Sequence, residues 1–245
     1  MKVLWMSKRK VGAASTLGLV FALLVAVPLH PAWLVEGLAR HSPEVRYFVE
    51  TARPLVALTI DDGPDPVATP RILDVLKRHG ARATFFVITD RVAGNEALLR
   101  RILEQGHELG NHLTRDEPSI RLPDEEFERQ LLAAHEILSG YSEVHWFRPG
   151  SGWFDDAMLR TLEGHAYSCA LGSVYPFDTA VPSVWFATRY VLSNVEPGSI
   201  IVLHDAGARG LRTAAVLESV LPELETRGLE VVTLSTLARS GERGR

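Results

Sequence analysis

Short apolar runs alternate with helical patterns along most of the chain after residue 54. Seven runs of four to six residues are rich in Val, Ile or aromatic side chains and lie near Gly or Pro, which is typical of buried strands. They are residues 55–60, 83–88, 107–111, 145–148, 166–171, 199–204 and 229–234. Helical patterns lie between them, at 69–79, 95–105, 123–139, 155–163, 182–193 and 211–227. Repeated units of a strand followed by a helix predict a parallel sheet with helices outside it.

The number and order of these units indicate the fold class. Seven strands in residues 54–238 predict an α/β fold, an irregular (β/α) barrel of about seven strands; an open doubly wound sheet is the alternative. No linker in this body is long enough to divide it into two domains. In both architectures functional side chains gather at the carboxyl ends of the strands.

The first 29 residues have a different pattern. Residues 8–10 are Lys-Arg-Lys, and residues 11–29 contain no charged side chain. As a helix rising about 1.5 Å per residue, this run nearly spans a hydrocarbon layer of about 30 Å. Positive charge before the run favours a cytoplasmic N-terminus. A signal anchor and a cleaved signal peptide are the main alternatives, and a buried core helix is the third.

We favour the anchor because the run exceeds the usual signal-peptide core of about 7–15 residues and no A-x-A site closes it. The predicted organisation is therefore an anchor or signal over 1–29, a juxtamembrane helix and linker over 30–53, the folded body over 54–238 and a C-terminal tail over 239–245. The body is expected outside the cytoplasm, tethered to the membrane, or secreted if the first segment is cleaved.

The amino-acid composition excludes several classes of protein. The 245 residues are 46% hydrophobic and 23% charged, which excludes wholesale disorder. The single cysteine, Cys169, excludes an intrachain disulfide scaffold and is expected to be a buried core thiol. A formal net charge of −4 argues against a general nucleic-acid binder.

Polar side chains follow several predicted strands. Asp61 and Asp62 end the first, and Gly63-Pro64 after them must turn the chain if both carboxylates are to face one cavity. These carboxylates suit a metal ion and a neighbouring base, although Asp-Gly-Pro is also common turn chemistry. His112 and Asp116 follow the third strand, four residues apart, a spacing that suits metal ligation; a hydrogen-bonded loop histidine is the alternative.

Three more polar residues follow later strands. Arg148 suits a forked pair with a carboxylate, or an ordinary surface ion pair. His204 ends an apolar strand and suits a general acid or base, or a satisfied core histidine. Asp178 follows the fifth strand and is placed to support such a histidine. Each residue is ambiguous alone, but their joint occurrence at successive strand ends predicts one site.

The order of these motifs resembles a known family. Residues 59–64 (Thr-Ile-Asp-Asp-Gly-Pro), 111–112 (Asn-His), 148–150 (Arg-Pro-Gly) and 203–205 (Leu-His-Asp) resemble the polysaccharide deacetylases with a NodB-homology domain, over about residues 54–238. The resemblance implies an irregular (β/α) barrel and a metal-dependent hydrolase that removes N- or O-acetyl groups from glycans such as chitin oligomers or cell-wall polysaccharides.

The resemblance also implies roles for individual residues. Asp61 matches the catalytic base, Arg148 the arginine that holds it, His204 the catalytic acid, Asp178 the carboxylate that tunes this acid, and Asp62 and His112 two metal ligands.

One position departs from the family pattern. The usual motif is His-Ser/Thr-x-x-His, whereas this chain has His-Leu-Thr-Arg-Asp, with Asp116 in place of the second histidine. Because a carboxylate also binds divalent metals, a ligand set of Asp62, His112 and Asp116 is expected to hold zinc, or manganese or cobalt. The alternative is that Asp116 pairs with Arg115 or Arg121 and leaves the metal weakly held.

The expected substrate is an acetylated glycan, with N-deacetylation favoured. Trp153, Tyr175 and Trp185 are candidates for stacking on sugar rings, and a backbone N–H near Gly150 is a candidate donor to the developing oxyanion. Two alternatives stay open: hydrolysis of a cyclic amide or ureide on the same fold, and a membrane-tethered glycan-binding module whose metal site has decayed.

Overall fold

A computed structural model describes residues 32–242 and divides the chain between His41 and Ser42 into two units. The described part of the first unit is helix α1 (Ala32–His41), whose last turn carries Arg40 and His41. The predicted anchor over residues 1–29 lies outside the described residues. Within the described part of the chain, no helix is both long and apolar enough to span a membrane.

The second unit is built on a parallel sheet, which confirms the predicted α/β class. The described strands are β1 (Val45–Arg46), β2 (Leu55–Gly63), β3 (Ala83–Val87), β4 (Glu108–Asn111), β5 (Trp146–Phe147), β6 (Ser168–Ala170), β7 (Ile200–His204) and β8 (Glu230–Val232). Their order is β1-β6-β5-β4-β3-β2-β7, with β8 pairing the start of β2, and all these pairs are parallel.

Isolated bridges join the two ends of this strand order. Val174, after β6, bridges to Ile201 of β7, and Phe48, after β1, bridges to Ser199. The sheet therefore closes irregularly, as a barrel would. The described strands number eight rather than about seven because Val45–Arg46 pairs with β6, inside the segment predicted as a linker. Two residues are too short for a strand pattern to be visible in the sequence.

Helices follow most strands. They are α2 (Ala68–Arg78), α3 (Glu96–Glu104), α4 (Asp124–Ser139), α5 (Asp156–Gly164), α6 (Val184–Asn194), α7 (Gly207–Thr226) and α8 (Leu234–Glu242), with 3₁₀ turns at Thr89–Arg91, Ser119–Arg121 and Gly150–Gly152. Asp155 caps α5 by accepting from the N–H of Met158, as Asp residues commonly do. Helix α8 was not predicted, and it continues into the segment predicted as a tail.

Strand β2 lies at the centre of the core. All nine of its residues are buried, and β3 and β7 pair with its two edges. Residues 55–58 are all apolar because both faces of such a parallel strand are covered. Leu58 and Ile60 are fully buried with Phe85, Phe86 and Phe147, and each such side chain contributes about 1.5–3 kcal/mol by leaving water. This packing holds the carboxyl end of β2 in one place, and that end carries Asp61 and Asp62.

Candidate active site

The end of β2 breaks the regular alternation of a strand. Asp61 pairs with Phe86 on one side and with His204 on the other, and the register with β3 then shifts between Asp61 and Gly63. Asp62, at the shift, has a φ of 72°, in the left-handed region that a non-glycine residue seldom adopts. Because of this irregularity the consecutive carboxylates of Asp61 and Asp62 can face one cluster of charged groups, as expected from the sequence.

Arg148, just after β5, forms a buried ion pair with Asp61. Its Nη1 donates to Oδ1 of Asp61 at 2.6 Å and to Oγ1 of Thr59 at 2.7 Å. The rest of the guanidinium donates to the carbonyls of Ala170 and Leu171 and lies over the ring of Phe86. A buried pair is tolerated when its remaining donors are satisfied in this way. Arg148 therefore holds one carboxylate oxygen of Asp61 in a defined position.

His204, at the end of β7, is bound by Asp178. The Nδ1–H of His204 donates to the two carboxylate oxygens at 2.9 and 3.0 Å, and the backbone N–H of His204 donates to the same carboxylate at 3.1 Å. Burial alone would lower the pKa of His204, but the hydrogen bond and charge of Asp178, with the charges of Asp61 and Asp62, raise it. The structure thus favours a protonated imidazole whose Nε2 is left for another partner.

Asp62 and His112 form the third pair. Nε2 of His112 lies 3.5 Å from Oδ1 of Asp62, while its Nδ1–H donates to the carbonyl oxygen of Arg148 at 2.7 Å. Burial alone would raise the pKa of Asp62, but hydrogen bonding and charge from His112, with charge from His204 and Arg209, lower it. Burial likewise would lower the pKa of His112, and Asp62 and Asp61 raise it.

These two side chains fit a divalent metal ion. The carbonyl contact fixes the His112 ring so that Nε2 faces Asp62, which is how metal-bound histidines are usually oriented. Nitrogen and oxygen ligands bind zinc at about 2.0–2.2 Å, so one ion can contact two atoms that are 3.5 Å apart.

Asp116 does not join them. Its carboxylate is more than half exposed and accepts from Nη2 of Arg91 at 2.8 Å. Arg91 also donates through Nη1 to the carbonyl oxygen of Asp62. The pairing considered from the sequence is not observed, since Arg115 instead lies 3.7 Å from Asp90. Within residues 32–242 no three His, Cys, Asp or Glu side chains are grouped closely enough to share a metal ion.

Of the residues predicted to contact the substrate, two are exposed tryptophans, one is a tyrosine beside His204, and one is a glycine whose N–H is already hydrogen-bonded. Trp153 is 70% exposed just after the turn Gly150–Gly152, and Trp185 is exposed at the start of α6. The ring of Tyr175 lies edge-on to that of His204, with 5.9 Å between centroids, so Tyr175 borders the site. The N–H of Gly150 donates to Oγ of Ser119 at 2.8 Å and is therefore already occupied.

The structure adds residues that the sequence did not reveal. Arg209, near the start of α7, places Nη2 3.3 Å from Oδ2 of Asp62, and Arg91 binds the backbone of the same residue. Neither arginine ends a predicted strand, so no local pattern distinguishes it. Asp205, the last residue of the Leu-His-Asp motif seen in the sequence, is fully buried and accepts from Oγ1 of Thr69. Burial, with the charges of Asp65 and Asp62, raises the pKa of Asp205 well above its usual range despite the bond from Thr69.

With this geometry established, comparisons with known proteins identify the family. A family model described as polysaccharide deacetylase matches residues 48–170. This chain belongs to the polysaccharide deacetylase family. A peptidoglycan-N-acetylglucosamine deacetylase of Bacillus cereus is 37% identical over 198 residues, which are 80% of this chain and 93% of that protein. A chitooligosaccharide deacetylase of Sinorhizobium fredii is 35% identical, over 75% of this chain and 92% of the relative.

Solved structures of family members have the same fold. The crystal structure of the Bc1960 peptidoglycan N-acetylglucosamine deacetylase, in complex with 4-naphthalen-1-yl-N-oxidanyl-benzamide, superposes with a TM-score of 0.76 at 30% identity, covering 80% of this chain and 94% of that one. A family 4 acetyl xylan esterase of Clostridium thermocellum, in complex with a cobalt ion, has a TM-score of 0.70 at 30% identity, covering 75% and 89%.

Proposed function

We infer that this polysaccharide deacetylase is a metal-dependent carbohydrate deacetylase that hydrolyses N-acetyl groups of a cell-wall polysaccharide or chitin oligomer. One observation carries the proposal: a buried Asp61–Arg148 pair and a buried Asp178–His204 pair are adjacent across β2 and β7, beside Asp62 and His112. The names of the relatives support the substrate class, since they are deacetylases of peptidoglycan and of chitooligosaccharides.

Asp62 and His112 would hold the metal ion. When bound, a divalent ion supplies Lewis acid chemistry, which stabilises the charge that develops on an acetyl carbonyl oxygen. Zinc is our first choice because a carboxylate and an imidazole suit it, and cobalt or manganese would also be accepted by these atoms. The remaining chemistry belongs to the two buried pairs.

Asp61 acts as the general base. Arg148 binds its Oδ1 at 2.6 Å and so fixes the carboxylate, which removes a proton from the water that attacks the acetyl carbonyl carbon. The neighbouring side chain of His204 acts as the general acid. An amine is a poor leaving group until it is protonated, and the raised pKa of His204 keeps a proton available for it.

Asp178 keeps His204 in the required form. It accepts from Nδ1–H, which leaves the proton on Nε2 as the one delivered to the leaving amine. Tyr175 offers an aromatic face for a sugar ring beside His204, and the exposed Trp153 offers a second one just after the turn Gly150–Gly152.

We place the reaction outside the cytoplasm. The uncharged run over residues 11–29 after Lys-Arg-Lys supports this location, with the folded unit tethered to the outer face of the membrane or released after cleavage. A protease added to intact cells should digest the C-terminal unit, and a protected unit would contradict this location.

Acetate release from N-acetylated chitooligosaccharides and peptidoglycan, measured together with metal content, tests the function. Asp61→Asn and His204→Ala are each expected to lose at least about a hundredfold in turnover, the lower end of general acid–base contributions, with bound metal unchanged. His165→Ala is the matched control, because His165 also pairs with a carboxylate, Glu128 at 2.7 Å, but outside the site. Near wild-type turnover in either site variant would contradict the assignment.

The same assay separates a competing function. Pairing of Asp116 with Arg91 favours a glycan-binding module without catalysis, because a family metal ligand position is engaged elsewhere. That function predicts glycan binding with neither acetate release nor stoichiometric metal.

A further inference from the structure

We propose that Asp116 is not a metal ligand in this protein: Arg91 withholds its carboxylate, and among residues 32–242 Asp62 and His112 alone bind the metal ion. The inference rests on the proposed metal-dependent function and concerns how the metal is held. It differs from the expectation drawn from the sequence, in which the carboxylate of Asp116 completes a set of three ligands.

Asp116 is far more exposed than the two residues that would bind the metal ion. The side chains of Asp62 and His112 are 7% and 8% exposed, whereas that of Asp116 is 54% exposed. Side chains that share one ion must converge on it. Asp116 instead projects largely into water, and its contact is with a guanidinium.

Arg91 contacts both Asp116 and Asp62. Its guanidinium donates to the carboxylate of Asp116 and also to the backbone carbonyl of Asp62. One cation therefore lies between Asp116 and the residue that would bind the metal. Bringing Asp116 to the ion requires breaking a charge-assisted hydrogen bond of 2.8 Å.

Backbone hydrogen bonds hold the turn that carries Arg91 against the loop that leads to Asp116. The N–H groups of Thr89 and Asp90, in the 3₁₀ turn that carries Arg91, donate to the carbonyls of Leu113 and Thr114 at 3.1 and 3.0 Å. Oγ1 of Thr114 also donates to Oε1 of Gln130 in α4 at 2.8 Å. The turn and the loop are thus bound together, which keeps the Arg91 side chain within reach of the Asp116 carboxylate.

Charge also favours the Arg91–Asp116 pair. Three carboxylates each have a guanidinium within 4 Å: Asp61 has Arg148, Asp62 has Arg209 and Asp116 has Arg91. Arg209 binds Oδ2 of Asp62 and leaves Oδ1 on the side of His112. The negative charge that Asp116 adds relative to a histidine is therefore balanced by Arg91, whereas Oδ1 of Asp62 still faces His112 and the position of the ion.

The test measures metal binding by the full chain after chelator treatment, with the dissociation constant for Co²⁺ and the visible spectrum of bound Co²⁺ as readouts. Asp116→Asn is expected to change the constant by less than about threefold, as for the loss of an exposed ion pair, and to leave the spectrum unchanged. Asp62→Asn and His112→Gln are expected to weaken binding by more than about a hundredfold, beyond the loss seen when only supporting groups are removed.

Arg91→Gln makes the test specific, since glutamine carries no charge and so forms no ion pair with Asp116. In that background Asp116 is released, so adding Asp116→Asn should now weaken Co²⁺ binding by about tenfold and alter the spectrum. Arg115→Gln is the matched control: it removes a neighbouring positive charge that pairs with Asp90, and it should not create this sensitivity.

Three results would contradict the inference about Asp116, the role given to Arg91, or the proposed function. More than about tenfold weakening by Asp116→Asn with Arg91 intact would make Asp116 a ligand and overturn the inference. No sensitivity in the Arg91→Gln background would show that Arg91 is not what withholds Asp116. A wild-type chain that binds no Co²⁺ would instead contradict the proposed function, so the two failures are distinguishable.

Discussion

Replacing Arg148 by Met should destabilise the fold mainly through the carboxylate that it leaves behind. Arg148 and Asp61 have side chains only 3% and 5% exposed and are joined at 2.6 Å. Removing one partner of such a buried pair costs about 3–5 kcal/mol, because the other charge stays out of water without compensation. Met keeps most of the volume beside Phe86, so loss of packing adds little.

A second substitution isolates this cause. Asp61→Asn removes the uncompensated charge, so the double variant is expected to be about 2 kcal/mol more stable than Arg148→Met alone. Urea unfolding of the wild type, both single variants and the double variant, at one pH and with equal m-values, gives the coupling free energy.

The exposed pair of Arg101 and Asp74 provides the control cycle. It joins the same residue types, with side chains 33% and 63% exposed, so its coupling should stay below about 1 kcal/mol. A double variant no more stable than Arg148→Met, or equal coupling in the two cycles, would refute the claim that burial of the Asp61 charge dominates.

Two further predictions concern pH. Burial and the charge of Arg82 lower the pKa of His107 to about 4. The stability that neutral His107 contributes is therefore complete above about pH 6.5 and is lost as the pH falls towards 4, by about 3 kcal/mol in all. The free energy of unfolding of His107→Gln, measured in urea across this range, should depend less on pH than that of the wild type, and an equal dependence would contradict the assignment to His107. Asp178→Asn should lower the pKa of His204 and move the basic limb of the turnover–pH profile to lower pH, whereas an unmoved limb would exclude His204 as the acid.

Local sequence patterns were sufficient to predict most of the fold. The continuous apolar stretches at residues 55–58 and 200–203, within the predicted strands 55–60 and 199–204, identify buried parallel strands, because both faces of such strands are covered. The proximity of Asp61 and His204 also followed from their positions along the chain. Asp61 and His204 end strands that are neighbours in the sheet, so the packing of β2 against β7 brings them together.

The tertiary structure alone decided how the remaining charges are distributed. Arg91 contacts Asp62 from a 3₁₀ turn, and Arg209 contacts it from a helix. The N–H of Gly150 donates to Ser119. None of these three contacts produces a periodic pattern in the sequence. A motif with Asp116 four residues after His112 cannot say whether a carboxylate meets a metal or a guanidinium. That choice depends on groups distant in the chain, whose positions are set by the packing of the whole barrel.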